Sequence, residues 1–270
     1  MVSRQCPDAG FCFYRAWGVE ESNPADTCAA VACLRLLSEE VPRRPAVLRW
    51  LHATQHADGA FETPTIAWYA LDALHQLDES PRVDPREYLH GQAECLALWS
   101  NADVRGSEAL LLLARLVELC ARHGAPLRPA ERDVVEANVR SLRADDGGYG
   151  TPQSNLIDTE CAVAALRRLG LPTGETALRD FLRRCEDAQQ GFRLVPGSSA
   201  SSLAVTHAGL RLCVRLDAAL ATAAAASRFA LSCQASNGGF GRTTGAIPTL
   251  DDTRLALEIL IDPGIGVASL

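Results

Sequence analysis

Two adjacent acids, Asp251 and Asp252, begin an apolar-periodic segment near the end of the sequence. Neighbouring carboxyl groups disfavour each other's ionisation, so one of the two can retain a proton at neutral pH. One acid at this place also has an ordinary role, because Asp252 stands three residues after Thr249, the spacing of a helix N-cap and an acid in the first turn. The same spacing recurs in the segments NPAD (23–26) and NLID (155–158). The position of Asp251 is apolar there, as Ala25 and Ile157, so Asp251 is the addition.

A second candidate for chemistry is the pair His52 and His56, four residues apart and followed by Asp58. This spacing can chelate a metal ion on one helix face. It equally suits two imidazoles at a helix C-terminus, where positive charge is favoured, and we prefer this interpretation.

The elements that carry these residues form repeats. Four segments align with one another and end in an aromatic residue: QCPDAGF (5–11), QHADGAF (55–61), RADDGGY (143–149) and QASNGGF (234–240). A weaker copy is EDAQQGF (186–192), and a degenerate one lies within 95–106. Together they predict six units with a period of roughly 45 residues, a length typical of helical repeats.

Every unit has a helix after its Gly-rich turn, and five of the six have one before it. The helix after the turn is rich in Ala and Leu and apolar nearly all round, which predicts burial on several sides. The helix before it is amphipathic and rich in Arg, as in PAVLRWLHATQ. Because the first turn begins at residue 5, no outer helix precedes it, and we expect eleven principal helices and a gap in the outer layer. Six units favour a closed ring over an open solenoid.

Composition narrows the class of protein. The 270 residues carry a net charge of −7 and no lysine, which excludes lysine-dependent chemistry and argues against a nucleic acid as partner. No segment is apolar enough to predict a membrane span, and we expect no signal peptide because the N-terminal residues lack its long apolar core. Five of the ten cysteines fall among small apolar residues: Cys28, Cys33, Cys161, Cys213 and Cys233. We therefore expect a reduced, cytoplasmic protein.

The segments RWLHATQHADGAF and SRFALSCQASNGGF resemble the aromatic-Leu-x₃-Gln-x₃-Gly-x-aromatic repeat of squalene and terpene cyclases. The β subunits of protein prenyltransferases carry related repeats. The resemblance extends over the whole chain and implies an all-α (α/α)₆ toroid, with residues 1–270 as a single domain. It further implies an apolar central cavity that receives an isoprenoid chain as small-molecule substrate.

For class II terpene cyclases, the resemblance implies that the acid initiating cyclisation is the middle Asp of a D-x-D-D motif. TLDD matches three of its positions, with Thr249 replacing the first Asp. Asp251 would then be the proton donor and Asp252 its neighbour. Such chemistry also needs aromatic faces to stabilise carbocations. The candidates are Trp68 and Tyr69, which we favour, together with Trp17, Tyr149 and Phe240.

The prenyltransferase resemblance implies a zinc site instead, with Asp-x-Cys on one inner helix and His on the next. Asp158, Cys161 and His207 come nearest to this pattern. Cys161 lies one residue too far along, which rotates it by about 100° around a helix. We therefore expect no resident cofactor, and we retain zinc or magnesium only as an alternative.

Three hypotheses follow. The first is a terpene cyclase-like enzyme that uses Asp251 as general acid on an isoprenoid. The second is a prenyltransferase-like zinc protein, for which a second subunit could complete the site. The third is a non-catalytic toroid that binds an apolar ligand or a helical partner at the missing outer helix. A buried Asp251 in an apolar cavity favours the first hypothesis, and a solvent-facing Asp251 opposes it.

Overall fold

The computed structural model describes residues 2–13, 20–97, 107–219 and 221–261. Eleven α-helices lie within these ranges, as the repeats predict. They are α1 (Pro24–Leu36), α2 (Arg44–Ala53), α3 (Pro64–Gln76), α4 (Arg86–Ala97), α5 (Ser107–Arg122), α6 (Pro129–Ser141), α7 (Leu156–Arg168), α8 (Glu175–Cys185), α9 (Leu203–Leu216), α10 (Ala223–Ser232) and α11 (Leu250–Ile261).

The odd-numbered helices form a closed inner ring. Each packs against the next in chain order, and α11 packs against α1, which closes the circle. The even-numbered helices lie outside, each against the inner helix that follows it. Among the described residues before α1, only the 3₁₀ turn Val2–Arg4 is helical, so the first unit has no outer helix there. The fold is the (α/α)₆ toroid that the sequence predicts.

Burial separates the two layers as their composition predicts. In α1, every residue from Thr27 to Leu34 is buried. In α8, by contrast, one face carries the buried residues Leu178, Phe181, Leu182 and Cys185 and the other carries arginines. The main hydrophobic core therefore lies between the rings. It is built from the outer helices' apolar faces and the inner helices' outward sides.

The repeated turns are closed by short antiparallel pairings. In each aligned segment, the first residue pairs with the final aromatic: Gln5 with Phe11, Gln55 with Phe61, Arg143 with Tyr149, Glu186 with Phe192 and Gln234 with Phe240. Four two-residue strands lie at the last two turns: β1 (Glu186–Asp187) with β2 (Gly191–Phe192), and β3 (Phe240–Gly241) with β4 (Pro248–Thr249). Gly147 has a φ of +89°, and a Cβ there would meet the carbonyl of Ala177 at 2.6 Å, so this turn requires glycine.

Within the ranges described, no helix combines the length and apolarity needed to cross a membrane. The ten cysteines are all free thiols, and nine of them are buried.

Candidate functional site

A cavity of about 680 Å³ lies inside the inner ring, and all six inner helices line it. On α7 and α11, the lining residues occupy equivalent places along the helix. The four equivalent residues are Ile157, Glu160, Cys161 and Ala164 on α7, and Asp251, Arg254, Leu255 and Glu258 on α11, while Arg167 and Arg168 extend the lining on α7. This i, i+3, i+4, i+7 spacing places one face of each helix toward the cavity. The first turn of α11 therefore presents Asp251, rather than Asp252, to the cavity.

Asp252 has the capping role that its spacing predicts. Its backbone N–H donates to Thr249 Oγ1 at 2.9 Å, and the Thr249 hydroxyl donates to Asp252 Oδ2 at 2.7 Å. Burial raises the pKa of the Asp252 carboxyl, and the hydrogen bond from Thr249 opposes this shift. Asp252 is not among the residues that line the cavity, so its carboxyl supports the helix start, and its part in catalysis stays a prediction.

Asp251 lies at the cavity but is open to solvent, with its side chain 63% exposed. Its Oδ1 accepts hydrogen bonds from Arg254 Nη2 at 2.9 Å and from Arg254 Nε at 3.2 Å. Asp251 is thus exposed and ion-paired, whereas the first hypothesis expects it to be buried in an apolar cavity.

Arg254 connects Asp251 to a more buried pair. Arg254 Nη1 lies 2.6 Å from Glu258 Oε1, and His207 Nε2 on α9 lies 2.6 Å from Glu258 Oε2. Burial would raise the pKa of Glu258, but the Arg254 guanidinium and then His207 outweigh it and lower that pKa to about 2. Glu258 is therefore a fixed negative charge that joins α9 to α11.

Trp68 and Tyr69 lie in the cavity wall, and their ring faces are already occupied. The Arg115 guanidinium lies 4.8 Å from the Tyr69 ring centroid and 5.4 Å from that of Trp68. Arg122 lies 5.7 Å from the Trp68 ring. These rings, which the resemblance assigned to carbocations, thus stabilise the protein's own cations.

The other aromatic candidates do not meet the cavity. Tyr149 and Phe240 are buried in the hairpin turns and are not among the lining residues. Their backbone N–H groups donate to Thr159 Oγ1 at 2.9 Å and to Thr253 Oγ1 at 3.0 Å, which fixes each turn to the following helix. Both residues pack within the turns, and their contact with a substrate stays a prediction that this placement does not favour. Trp17 lies outside the described residues.

The zinc candidates do not form a metal site. Asp158 is buried at the start of α7, where its Oδ2 accepts from Asn155 Nδ2 at 2.7 Å, and it does not line the cavity. Its Oδ1 is buried without a hydrogen-bond partner in the described structure. Cys161 lines the cavity, and burial raises its pKa, which opposes the thiolate that zinc needs. His207 is already engaged by Glu258. In the parts of the chain that are described, no three His, Cys, Asp or Glu side chains are placed to hold a metal ion. As placed in the described ranges, Asp158, Cys161 and His207 do not fit the zinc of the second hypothesis.

Of the earlier histidine pair, His52 lies in the last turn of α2 and His56 lies in the turn beyond the helix. His52 Nε2 lies 3.0 Å from the Ser80 carbonyl oxygen, and a role of the pair at the helix C-terminus stays a prediction.

The charge of the cavity is the main feature that sequence reasoning missed. Seven arginines and five carboxylates line it, whereas the resemblance implied an apolar cavity. Carboxylates on one helix pair with arginines on the next, as Asp72 with Arg122 at 2.7 Å and Glu160 with Arg215 at 2.9 Å. The sequence pattern that could have predicted this charged lining is the presence of charged residues at positions i, i+3 and i+4 of inner helices that are otherwise apolar.

The chain matches the family model of the prenyltransferase alpha-alpha toroid domain over residues 1–177 and 172–261. It belongs to this family. None of the curated proteins matches it.

Solved structures share the fold at low identity. Protein geranylgeranyltransferase-I from Candida albicans, complexed with GGPP, superposes with a TM-score of 0.71 at 14% identity, over 89% of this chain and 84% of that one. A protein from Actinoplanes superposes with a TM-score of 0.62 at 17% identity, over 99% of this chain and 96% of that one. A variant of the type II terpene cyclase MstE from Scytonema, in complex with geranylgeranyl dihydroxybenzoate, superposes with a TM-score of 0.60 at 13% identity. The match covers 99% of this chain and 94% of that one. These likenesses show the fold alone.

Proposed function

We propose that the chain binds an isoprenoid or a similarly apolar chain in its central cavity. The observation that carries this proposal is the cavity of about 680 Å³ inside the inner ring, which falls within the range of about 300–1,000 Å³ typical of small-molecule sites. Its wall includes apolar side chains from several inner helices: Ala25, Leu111, Ile157, Ala204 and Leu255. These residues offer an isoprenoid chain apolar contacts among the charged side chains of the wall.

Two structural relatives support this ligand class. The Candida structure holds GGPP, and the Scytonema structure holds geranylgeranyl dihydroxybenzoate. Both ligands join a geranylgeranyl chain to an acidic group. We infer for the present protein an isoprenoid ligand of this kind, and neither of the two reactions.

Acid-initiated cyclisation remains a prediction of the sequence that the surroundings of Asp251 do not favour. A donor of this kind must be protonated before substrate arrives, whereas Asp251 is exposed and paired with Arg254. Cyclisation would require the ligand both to displace water from Asp251 and to draw Arg254 away. A second subunit and a cytoplasmic location also remain predictions.

The proposal is tested by calorimetric titration of farnesol, an uncharged isoprenoid alcohol, into the wild-type protein and two variants. Ala204→Phe places a ring in the cavity, and we expect it to weaken binding at least roughly tenfold, because the added volume competes with the ligand. Leu231→Phe enlarges an exposed residue on the outer helix α10 and is the matched control, for which we expect wild-type affinity.

Equal affinity of wild type and Ala204→Phe would overturn the proposal, as would an absence of binding by the wild type. Mass spectrometry after incubation with prenyl diphosphates tests the cyclisation hypothesis separately. A cyclised product that Asp251→Asn abolishes would restore Asp251 as the acid.

A further inference from the structure

One cavity arginine differs from the other six in its partners. Each of the six lies in an ion pair with a carboxylate: Arg122, Arg167, Arg168, Arg211, Arg215 and Arg254. Within the described residues, Arg115 forms no ion pair. It therefore contributes a positive charge to the cavity that no carboxylate of this part of the chain neutralises.

The position of Arg115 is nevertheless fixed. Its guanidinium packs over Tyr69 and Trp68, and Nη2 donates to the Tyr69 hydroxyl at 3.1 Å. A guanidinium has five N–H donors, and this is the one hydrogen bond that Arg115 makes within the described structure. The side chain is thus held in place by aromatic contacts while most of its donors stay unused.

A second guanidinium lies on the same indole and already has acidic partners. Arg122 lies 5.7 Å from the Trp68 ring and pairs with Asp72 at 2.7 Å and with Glu118 at 3.6 Å. Of the two guanidinium groups that pack on these rings, Arg115 is therefore the one without a carboxylate at ion-pair distance among the described residues. A half-buried cation without a partner is costly, and an anion that enters the cavity relieves this cost through charge-assisted hydrogen bonds.

We propose that Arg115, positioned by Trp68 and Tyr69, is an anchoring residue for an oxyanion group of the ligand. This inference rests on the proposed function, since it gives the isoprenoid an acidic end, a phosphate or a carboxylate. It assigns the two rings a role opposite to carbocation stabilisation. Their faces orient a guanidinium toward a negative group.

The test is calorimetric titration of inorganic pyrophosphate and of benzoate, which represent the two oxyanion classes. The proteins are wild type, Arg115→Gln, Arg115→Lys and Arg143→Gln. Arg143 is the matched control, because it packs over Tyr149 at 5.6 Å and donates to its hydroxyl at 3.3 Å, yet lies outside the cavity. Thermal melts followed by circular dichroism verify that each variant is folded.

We expect Arg115→Gln to weaken binding of the better probe at least roughly tenfold, the loss of one charge-assisted contact. Arg115→Lys keeps the charge but loses the planar donor fork, so its affinity should fall between those of wild type and Arg115→Gln. Arg143→Gln should bind as wild type does.

Wild-type affinity in both folded Arg115 variants overturns the inference, and so does binding of neither probe by the wild type. If Arg115→Gln fails to fold, Arg115→Lys decides the result. Farnesol binding distinguishes the two proposals. A protein that binds farnesol but neither oxyanion retains the proposed function and refutes the role of Arg115.

Discussion

The first turns of α7 and α11 are alike where they face the hairpin turn and unlike where they face the cavity. Asn155 and Thr249 accept from the backbone N–H of the residue three positions on, each at 2.9 Å. Thr159 and Thr253 then accept from the N–H of the preceding turn's aromatic residue. The shared residues of the repeat thus serve hydrogen bonding at the helix start.

On the cavity side, the two helices differ at every equivalent position. Ile157 corresponds to Asp251, Glu160 to Arg254, Cys161 to Leu255 and Ala164 to Glu258. The charges are also balanced differently. Glu160 pairs with arginines of the next helix, whereas Arg254 pairs with acids of its own helix. The residues that the repeats share therefore serve folding. The residues that differ between repeats face the cavity, and they are the candidates for ligand binding.

The largest effect on stability is expected from Glu258→Gln. The equivalent residue on α7 is Ala164, so the substitution removes a charge that α11 has at this position and α7 does not. The variant leaves Arg254, whose side chain is 25% exposed, with the exposed Asp251 as its remaining carboxylate, and we expect the free energy of unfolding to fall by about 3 kcal/mol at pH 7. The pKa of Glu258 is lowered from its ordinary value of 4.5 to about 2. Its stabilisation is therefore complete above pH 4.5 and is lost as the pH falls toward 2. Urea unfolding of both proteins across this pH range measures the difference.

Glu175→Gln is the control for this experiment, because Glu175 pairs with Arg167 in an exposed ion pair. Its cost should not exceed about 1 kcal/mol. A difference between wild type and Glu258→Gln that stays constant from pH 7 to pH 2 would contradict the role of Glu258 as a buried charge.

An intermediate effect on stability is expected from Thr159→Val and Thr253→Val. These variants test the hydrogen bond that α7 and α11 each make to the preceding turn. Each substitution keeps the shape but removes the acceptor of a buried aromatic residue's N–H, at a cost of about 1–3 kcal/mol. The measurement is the midpoint of chemical unfolding. Thr65→Val, at an exposed position of α3, should stay within about 0.5 kcal/mol of wild type. If one of the two buried variants is neutral, the turns are not equivalent.

The smallest effect on stability is expected from Asp251→Asn. The side chain is exposed, so its pair with Arg254 contributes at most about 1 kcal/mol. Thermal unfolding in low and in high salt measures this contribution, which should shrink as salt screens the pair. A loss comparable with that of Glu258→Gln would show that Asp251 belongs to the buried network.

The fold could be predicted because its signals are local. Repeated turns, apolar helices and the caps at residues 23, 155 and 249 each depend on residues close in sequence. The cavity's charge pattern depends instead on how neighbouring helices are rotated and shifted, as for Glu160 and Arg215, which are 55 residues apart. Trp68 and Tyr69 could be placed on an inner helix, but no local pattern reveals that Arg115, 46 residues beyond Tyr69, would lie over their rings.

The contact between α1 and α11 has a consequence for synthesis. The Cys33 thiol lies 3.9 Å from the carbonyl of Leu250, a separation of 217 residues along the chain. A nascent chain on the ribosome can assemble the earlier hairpins as they emerge, but this contact must wait until α11 has left the exit tunnel. Contacts so distant in sequence form slowly. Until then the wall of the cavity is open on one side, so we expect the central cavity to close in the last step of folding.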